Sequence, residues 1–185
     1  MICWIHNRSS DVRQVLNYVF GPGDHSPHVD PRVVGAWPMA TVGGMRDLQP
    51  TRSAGGVSVS RLANLLEQPV AAGFNPPPRP VWHCTVSNDA ADPVLPDEQW
   101  ASIAAEYLAA IRVAPLNDLG AARWVAIRHA DDHVHVITTL VRQDGPTIWL
   151  HNEYRRCHRM ARDLERRLGL RRLGVTDDIH AELAQ

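Results

Sequence analysis

No apolar run in this chain approaches the roughly 18 residues that a membrane-spanning helix needs. The opening MICWIHNRSS has neither the charged start nor the apolar centre of a secretion signal, so a cytoplasmic protein is the expectation. Cysteine is scarce. Cys3, Cys84 and Cys157 lie far apart, without the paired spacing of a zinc knuckle or a secreted disulfide framework, and read as reduced, buried thiols. Lysine is missing altogether, so all 19 basic residues are arginines. The net charge of −1 argues against the blanket basicity of many nucleic-acid binders. Repeats and low-complexity tracts are absent too. A chain of 185 residues suffices for one domain with a proper core and argues against a second full domain.

What is present is histidine, ten in all, and a local crowd of arginines in NEYRRCHRMARDLERRLGLRR. The stretch RWVAIRHADDHVHVITTLVR, residues 123–142, is a β-branched apolar run interrupted once by His129, Asp131, Asp132, His133 and His135. Alternate strand residues share a face, which points His133 and His135 the same way with Cα atoms roughly 7 Å apart. A bend just upstream brings His129 to the same point. Three imidazoles with carboxylates beside them suit one divalent ion, and a histidine-only set leaves open positions for catalysis. Asp131 or Asp132 suits the task of orienting an imidazole, or is a plain turn residue.

Around this stretch, residues 1–7 alternate as a first strand. A helix follows, capped by Ser9 or Ser10 with Asp11 at its positive end, burying Val12, Val15, Leu16 and Val19 and stopping at GPG, residues 21–23. Tyr18 stands in its last turn. From Asp24 to about Val57, with His25, His28 and Asp30 near the start, the chain reads as a long loop or irregular subregion. SVSRLANLLEQ predicts a short helix capped by Ser58 or Ser60, and NPPPRP a stiff connector. VWHCTVS is a strand with Val81, His83, Thr85 and Ser87 on one face. A helix starts after Pro96 and Asp97 with Trp100, Ile103, Ala104, Tyr107, Leu108 and Ile111 inward. RWVAIRH leads into the central strand HVHVITTLV. The dipeptide DG at 144–145 predicts a tight turn and TIWLH a partner strand. A last helix from near Asn152 is expected to bury Tyr154, Cys157, Ala161, Leu164 and Leu168, with Arg155, Arg159, Arg162 and Arg166 as a stripe opposite. The economical architecture is α+β: a central antiparallel β-sheet with packed helices. Open metal positions beside arginines suggest an anionic substrate, of which phosphodiesters are the commonest.

Three motifs, in this order, resemble those of conjugative relaxases, or mobilisation nucleases, in the HUH endonuclease superfamily. LNYVFGPGDHSPHVDP is similar to the first motif and maps its tyrosine nucleophile to Tyr18. VWHCTVSNDAAD is similar to the second and maps a DNA-positioning serine to Ser87. RHADDHVHVITTLVRQDG is similar to the histidine motif and maps the ligands to His129, His133 and His135. Two departures stand out: only three residues separate His129 from His133, and Thr139 stands where a common pattern has asparagine. His83 is the alternative third ligand.

The resemblance implies an HUH-like fold and one nuclease domain over 1–185, complete or the N-terminal part of a longer protein. It also implies a divalent cofactor, Mg²⁺ or Mn²⁺. The reaction would be site- and strand-specific nicking of origin-of-transfer DNA through a 5′-phosphotyrosine, with rejoining, in plasmid mobilisation. Expected partners are single-stranded DNA, auxiliary relaxosome proteins and a coupling protein, without membrane insertion. Ser87, His83, Arg155, Arg159 and Arg162 are the candidate DNA contacts, and Asp131 and Asp132 the candidate catalytic carboxylates. The competing readings are a rolling-circle initiator or transposase using Tyr154, a hydrolytic metalloenzyme without a covalent step, and a non-catalytic DNA-binding module.

Overall fold

A computed structural model describes residues 1–22, 29–38, 44–53 and 56–173. His25 and His28 lie outside them. Seven strands and four α-helices follow in the order β1 (Ile2–Ile5), α1 (Val12–Phe20), β2 (Arg32–Ala36), β3 (Thr51–Ser53), β4 (Gly56–Ser58), α2 (Ser60–Ala72), β5 (Val81–Ser87), α3 (Asp97–Ala110), β6 (Ala122–Arg128), β7 (His133–Arg142) and α4 (Glu153–Leu168). Five strands form one sheet in the order β1-β5-β7-β6-β2, every pair antiparallel, and β3 pairs with β4 in a separate hairpin. The architecture is α+β, as the pattern predicts.

β7 is central because its long β-branched run is buried on both faces. Its even-numbered side chains point one way and its odd-numbered ones, including His133 and His135, the other. The register sets Thr85 opposite His135 and Ser87 opposite His133, with Trp4 and Ile2 of β1 beyond them. α3 and α4 cover the even face. There Cys3 meets Cys84 and Cys157, all three free and buried as expected. α1 and α2 cover part of the odd face and leave the β1–β5 corner open.

α1 follows from its spacing: Val12, Leu16, Val19 and Phe20 are buried on one stripe. Its cap is Asp11 itself, accepting from the backbone N–H groups of Arg13 and Gln14, in place of Ser9 or Ser10. Such a cap is worth about 1 kcal/mol. α2 has Val59 in the cap position without a side-chain bond, so neither Ser58 nor Ser60 caps it, and it runs on through Pro69 to Ala72. Proline supplies no N–H to the carbonyl four residues back. That carbonyl, Leu65 O, accepts from Arg123 at 2.6 Å. Thr139 Oγ1 donates to the neighbouring Leu66 O at 3.0 Å, tying α2 to the sheet.

Three expectations fail. The segment 24–57 contains an edge strand, β2, which pairs with β6 through a bulge between Val33 and Gly35, besides a 3-10 turn at Gly44–Leu48 and the β3–β4 hairpin. TIWLH forms no strand: a single bridge joins Val141 to Thr147 before the chain leaves the sheet, and Trp149 is exposed. Tyr154 is also exposed, since the buried stripe of α4 begins only at Cys157. Among the described residues no helix is long and apolar enough to cross a membrane.

Candidate metal centre

β6 ends at Arg128 and β7 begins at His133, so residues 129–132 form the whole turn between them. The short His129–His133 spacing is therefore that of a tight hairpin, which folds His129 back over the strand it precedes. Arg128, itself buried, stitches the turn. It donates to Ala130 O at 2.9 Å and Asp131 O at 3.3 Å within the turn, and to Leu95 O at 2.9 Å and Asp97 Oδ1 at 2.6 Å outside it. Asp97 is held from its other side by Arg32, through bonds of 2.8 and 2.9 Å. Above the turn, Val29 N donates to His129 O and Asn88 N to Asp132 O. Sequence reasoning gave Arg128 and Asp97 no part in the site. Their only signal was an arginine beside the histidines and an acid at a helix start.

His129, His133 and His135 come together, each offering a nitrogen within 4.8 Å of the others'. His129 Nε2 and His133 Nε2 are 3.3 Å apart and their rings meet edge-on, with centroids 4.5 Å apart. With metal–nitrogen bonds of about 2.0–2.1 Å, two ligands of a tetrahedral ion stand about 3.3–3.4 Å apart and two cis ligands of an octahedral ion about 3.0 Å. The His129–His133 spacing therefore suits two ligands of one divalent ion, and His135 lies close enough to be a candidate third. A second trio, His6, His83 and His135, shares the His135 ring. Its key distance is shorter, 2.8 Å from His83 Nε2 to His135 Nδ1, a hydrogen-bond length.

Burial, reinforced by the neighbouring imidazoles, holds His135 far below the usual histidine range, and burial with His6 nearby pushes His83 down to about 3. Both rings are thus neutral at physiological pH, the state in which imidazole binds metals.

Of the two turn carboxylates, Asp132 reaches the centre, with Oδ1 2.7 Å from His133 Nδ1. Asp131 is exposed and lies 3.4 Å from Arg128 instead. Ser87, half-buried, faces the open corner opposite His133. Tyr18 is half exposed, and its ring stands edge-on to His135 with centroids 6.4 Å apart. Tyr154 packs against His158 on α4, across the sheet from the histidines. Arg155, Arg159 and Arg162 are on that helix too. Arg162 is paired with Glu165, and Arg159 and Arg162 line a surface concavity of about 470 Å³ that includes none of the clustered histidines.

Residues 65–170 match the family model for the relaxase, MobA/VirD2-like, nuclease domain. The chain belongs to this family. The match spans more than half of the chain, from α2 to the end of α4, and takes in the whole histidine turn, β5 and β7. It makes the protein a DNA relaxase, a nicking endonuclease that acts by transesterification. No curated protein and no solved structure matches the relaxase chain. Tyr18 lies outside the matched span.

Proposed function

We propose that this relaxase nicks one strand at an origin of transfer during plasmid mobilisation, with Tyr18 as nucleophile and a 5′-phosphotyrosine as the intermediate. The observation that carries this reading is the placement of the three tyrosines. Tyr107 is fully buried, Tyr154 is on the far face of the sheet, and Tyr18 alone is both exposed and in ring contact with the histidines.

His129, His133 and His135 would hold a divalent cation, Mg²⁺ or Mn²⁺, which supplies positive charge to the scissile phosphate. Tyr18 Oη forms a bond to phosphorus as its proton leaves, the bond from phosphorus to the 3′ oxygen breaks, and that oxygen takes up a proton. The aryl phosphodiester keeps the bond energy, so a returning 3′-OH can displace Tyr18 and reseal the strand. Asp132 holds His133 in orientation. The open corner of the sheet suits an extended strand better than a small molecule. Thr85 and Ser87 flank the histidines there, and the exposed Trp4 and Ile2 continue the same face to the sheet edge.

Incubating labelled origin-strand oligonucleotide and Mn²⁺ with wild type, Tyr18→Phe and Tyr154→Phe tests this reading. Wild type and Tyr154→Phe should give a protein–DNA adduct on a denaturing gel, and Tyr18→Phe none. Loss of the adduct in Tyr154→Phe alone would assign the chemistry to the initiator-type arrangement. Multiple turnover without any adduct would mean that water attacks.

A further inference from the structure

Among the described residues His135 is the one ring common to both histidine groups. The His129 ring stacks against it with centroids 4.6 Å apart, and the His133 ring meets it edge-on at 5.7 Å. His83 Nε2 approaches its Nδ1 to 2.8 Å. Both His83 and His135 are about 95 % buried, so water has little access to replace a lost bond between them. His6 lies flat against His83, with ring centroids 4.0 Å apart and planes 8° from parallel. His6 Nε2 is 2.8 Å from Thr85 Oγ1, and that hydroxyl is in turn 3.3 Å from His135 Nδ1. These contacts close around one nitrogen. The 2.8 Å spacing is that of a hydrogen bond, shorter than the roughly 3.0 Å or more between two ligands of one ion, and suits a shared proton.

We propose that His83 is a positioning residue for the metal centre: its Nε2 accepts the Nδ1–H of His135 and so turns the Nε2 lone pair of His135 toward His129 and His133, while His6 fixes the His83 ring plane by stacking. The proposal rests on the metal-centre reading above. A ligating imidazole usually donates its second N–H to a carboxylate, a carbonyl or water. His133 has such a partner in Asp132. The partner of His135 is instead a neutral imidazole, which fixes the tautomer without adding negative charge. A neutral partner of this kind would leave a cation held by His135 more of its positive charge for the phosphate.

The test uses the full chain and Mn²⁺ alone. Affinities are measured by calorimetry for wild type, His83→Ala and His83→Gln, and ring ¹H–¹⁵N correlations report which nitrogen of His135 carries the proton. His83→Ala should weaken Mn²⁺ binding 10- to 100-fold and lose the Nδ1-protonated signature of His135. His83→Gln, whose Oε1 falls near the position of Nε2 and accepts the same proton, should restore most of the affinity. A folded His83→Ala that binds Mn²⁺ within twofold of wild type overturns the proposal. So does a wild-type His135 protonated on Nε2. Should His83→Ala not fold, His83→Gln and the wild-type spectrum decide by the same criteria. If wild type nicks DNA and binds Mn²⁺ while the substitutions change nothing, this inference alone fails. If wild type binds no divalent ion, the metal-centre reading fails with it.

Discussion

Replacing Arg128 with methionine keeps the stem of the side chain and removes the guanidinium that stitches the histidine turn. The carboxylate it pairs with, Asp97, still has both bonds from Arg32, so no unpaired charge is left inside. The cost is therefore below the ~3–5 kcal/mol of a broken buried ion pair. What is lost is the charge-assisted bond to the buried Leu95 carbonyl, worth about 1.5–3 kcal/mol, and the bonds to Ala130 O and Asp131 O, which water can replace. A loss of about 1.5–3 kcal/mol in urea denaturation at pH 7 is expected. His129 is the next residue in the chain, so Mn²⁺ affinity of the folded variant should fall at least about tenfold, as for other outer-shell supports. A stability loss under about 1 kcal/mol would refute the stitching argument. Unchanged Mn²⁺ affinity in a variant that had lost the expected stability would refute the link from Arg128 to His129.

Other consequences can be measured independently. Hydrogen bonds from Arg32 and Arg128 hold the Asp97 carboxyl below its usual range. The unfolded chain then binds the extra proton first, and this contribution is present above about pH 4 and lost as pH falls through the folded value. Asp97→Asn should be less stable than wild type at pH 7, and the gap should close in acid urea titrations; a gap independent of pH would contradict the ion-pair account. Gly35 lies where β2 crosses α3, and a Cβ there would stand 3.1 Å from Ala101 and 3.3 Å from Trp124. Gly35→Val should cost about 1–3 kcal/mol in denaturant, as overpacked sites do, and a neutral result would mean that the crossing gives way. Trp4→Ala should weaken binding of single-stranded oligonucleotide about 5- to 100-fold, the range of one lost base–aromatic stack, with melting temperature unchanged. Equal affinity would place the strand elsewhere.

The sheet's centre was legible because β5 and β7 are long, β-branched and bounded, and the side-chain period of two placed His133 beside His135 without tertiary information. The geometry of His129 was not legible. It depends on a turn held by Arg128, whose partners Leu95 and Asp97 are over 30 residues away. β2 is not legible in the sequence because RVVGA is short, bulged and set among glycine and proline, where no period can emerge. The helix at Ser60 looked finished before Pro69, since the arginine that takes the orphaned carbonyl comes from another strand. Tyr154 fits an apolar stripe on a helical wheel but precedes the first turn of α4 that meets the core. Likewise, the arginines of α4 form a stripe in sequence while the fold carries them to the face opposite the histidines.

The central claim is that Tyr18, held edge-on to His135, takes the DNA. Protease digestion of the covalent complex with origin-strand oligonucleotide, followed by mass spectrometry of the DNA-bearing peptide, tests it most directly. The nucleotide mass should sit on Tyr18 in the peptide containing LNYVF. A nucleotide mass on Tyr154, or on any residue other than Tyr18, would contradict the account.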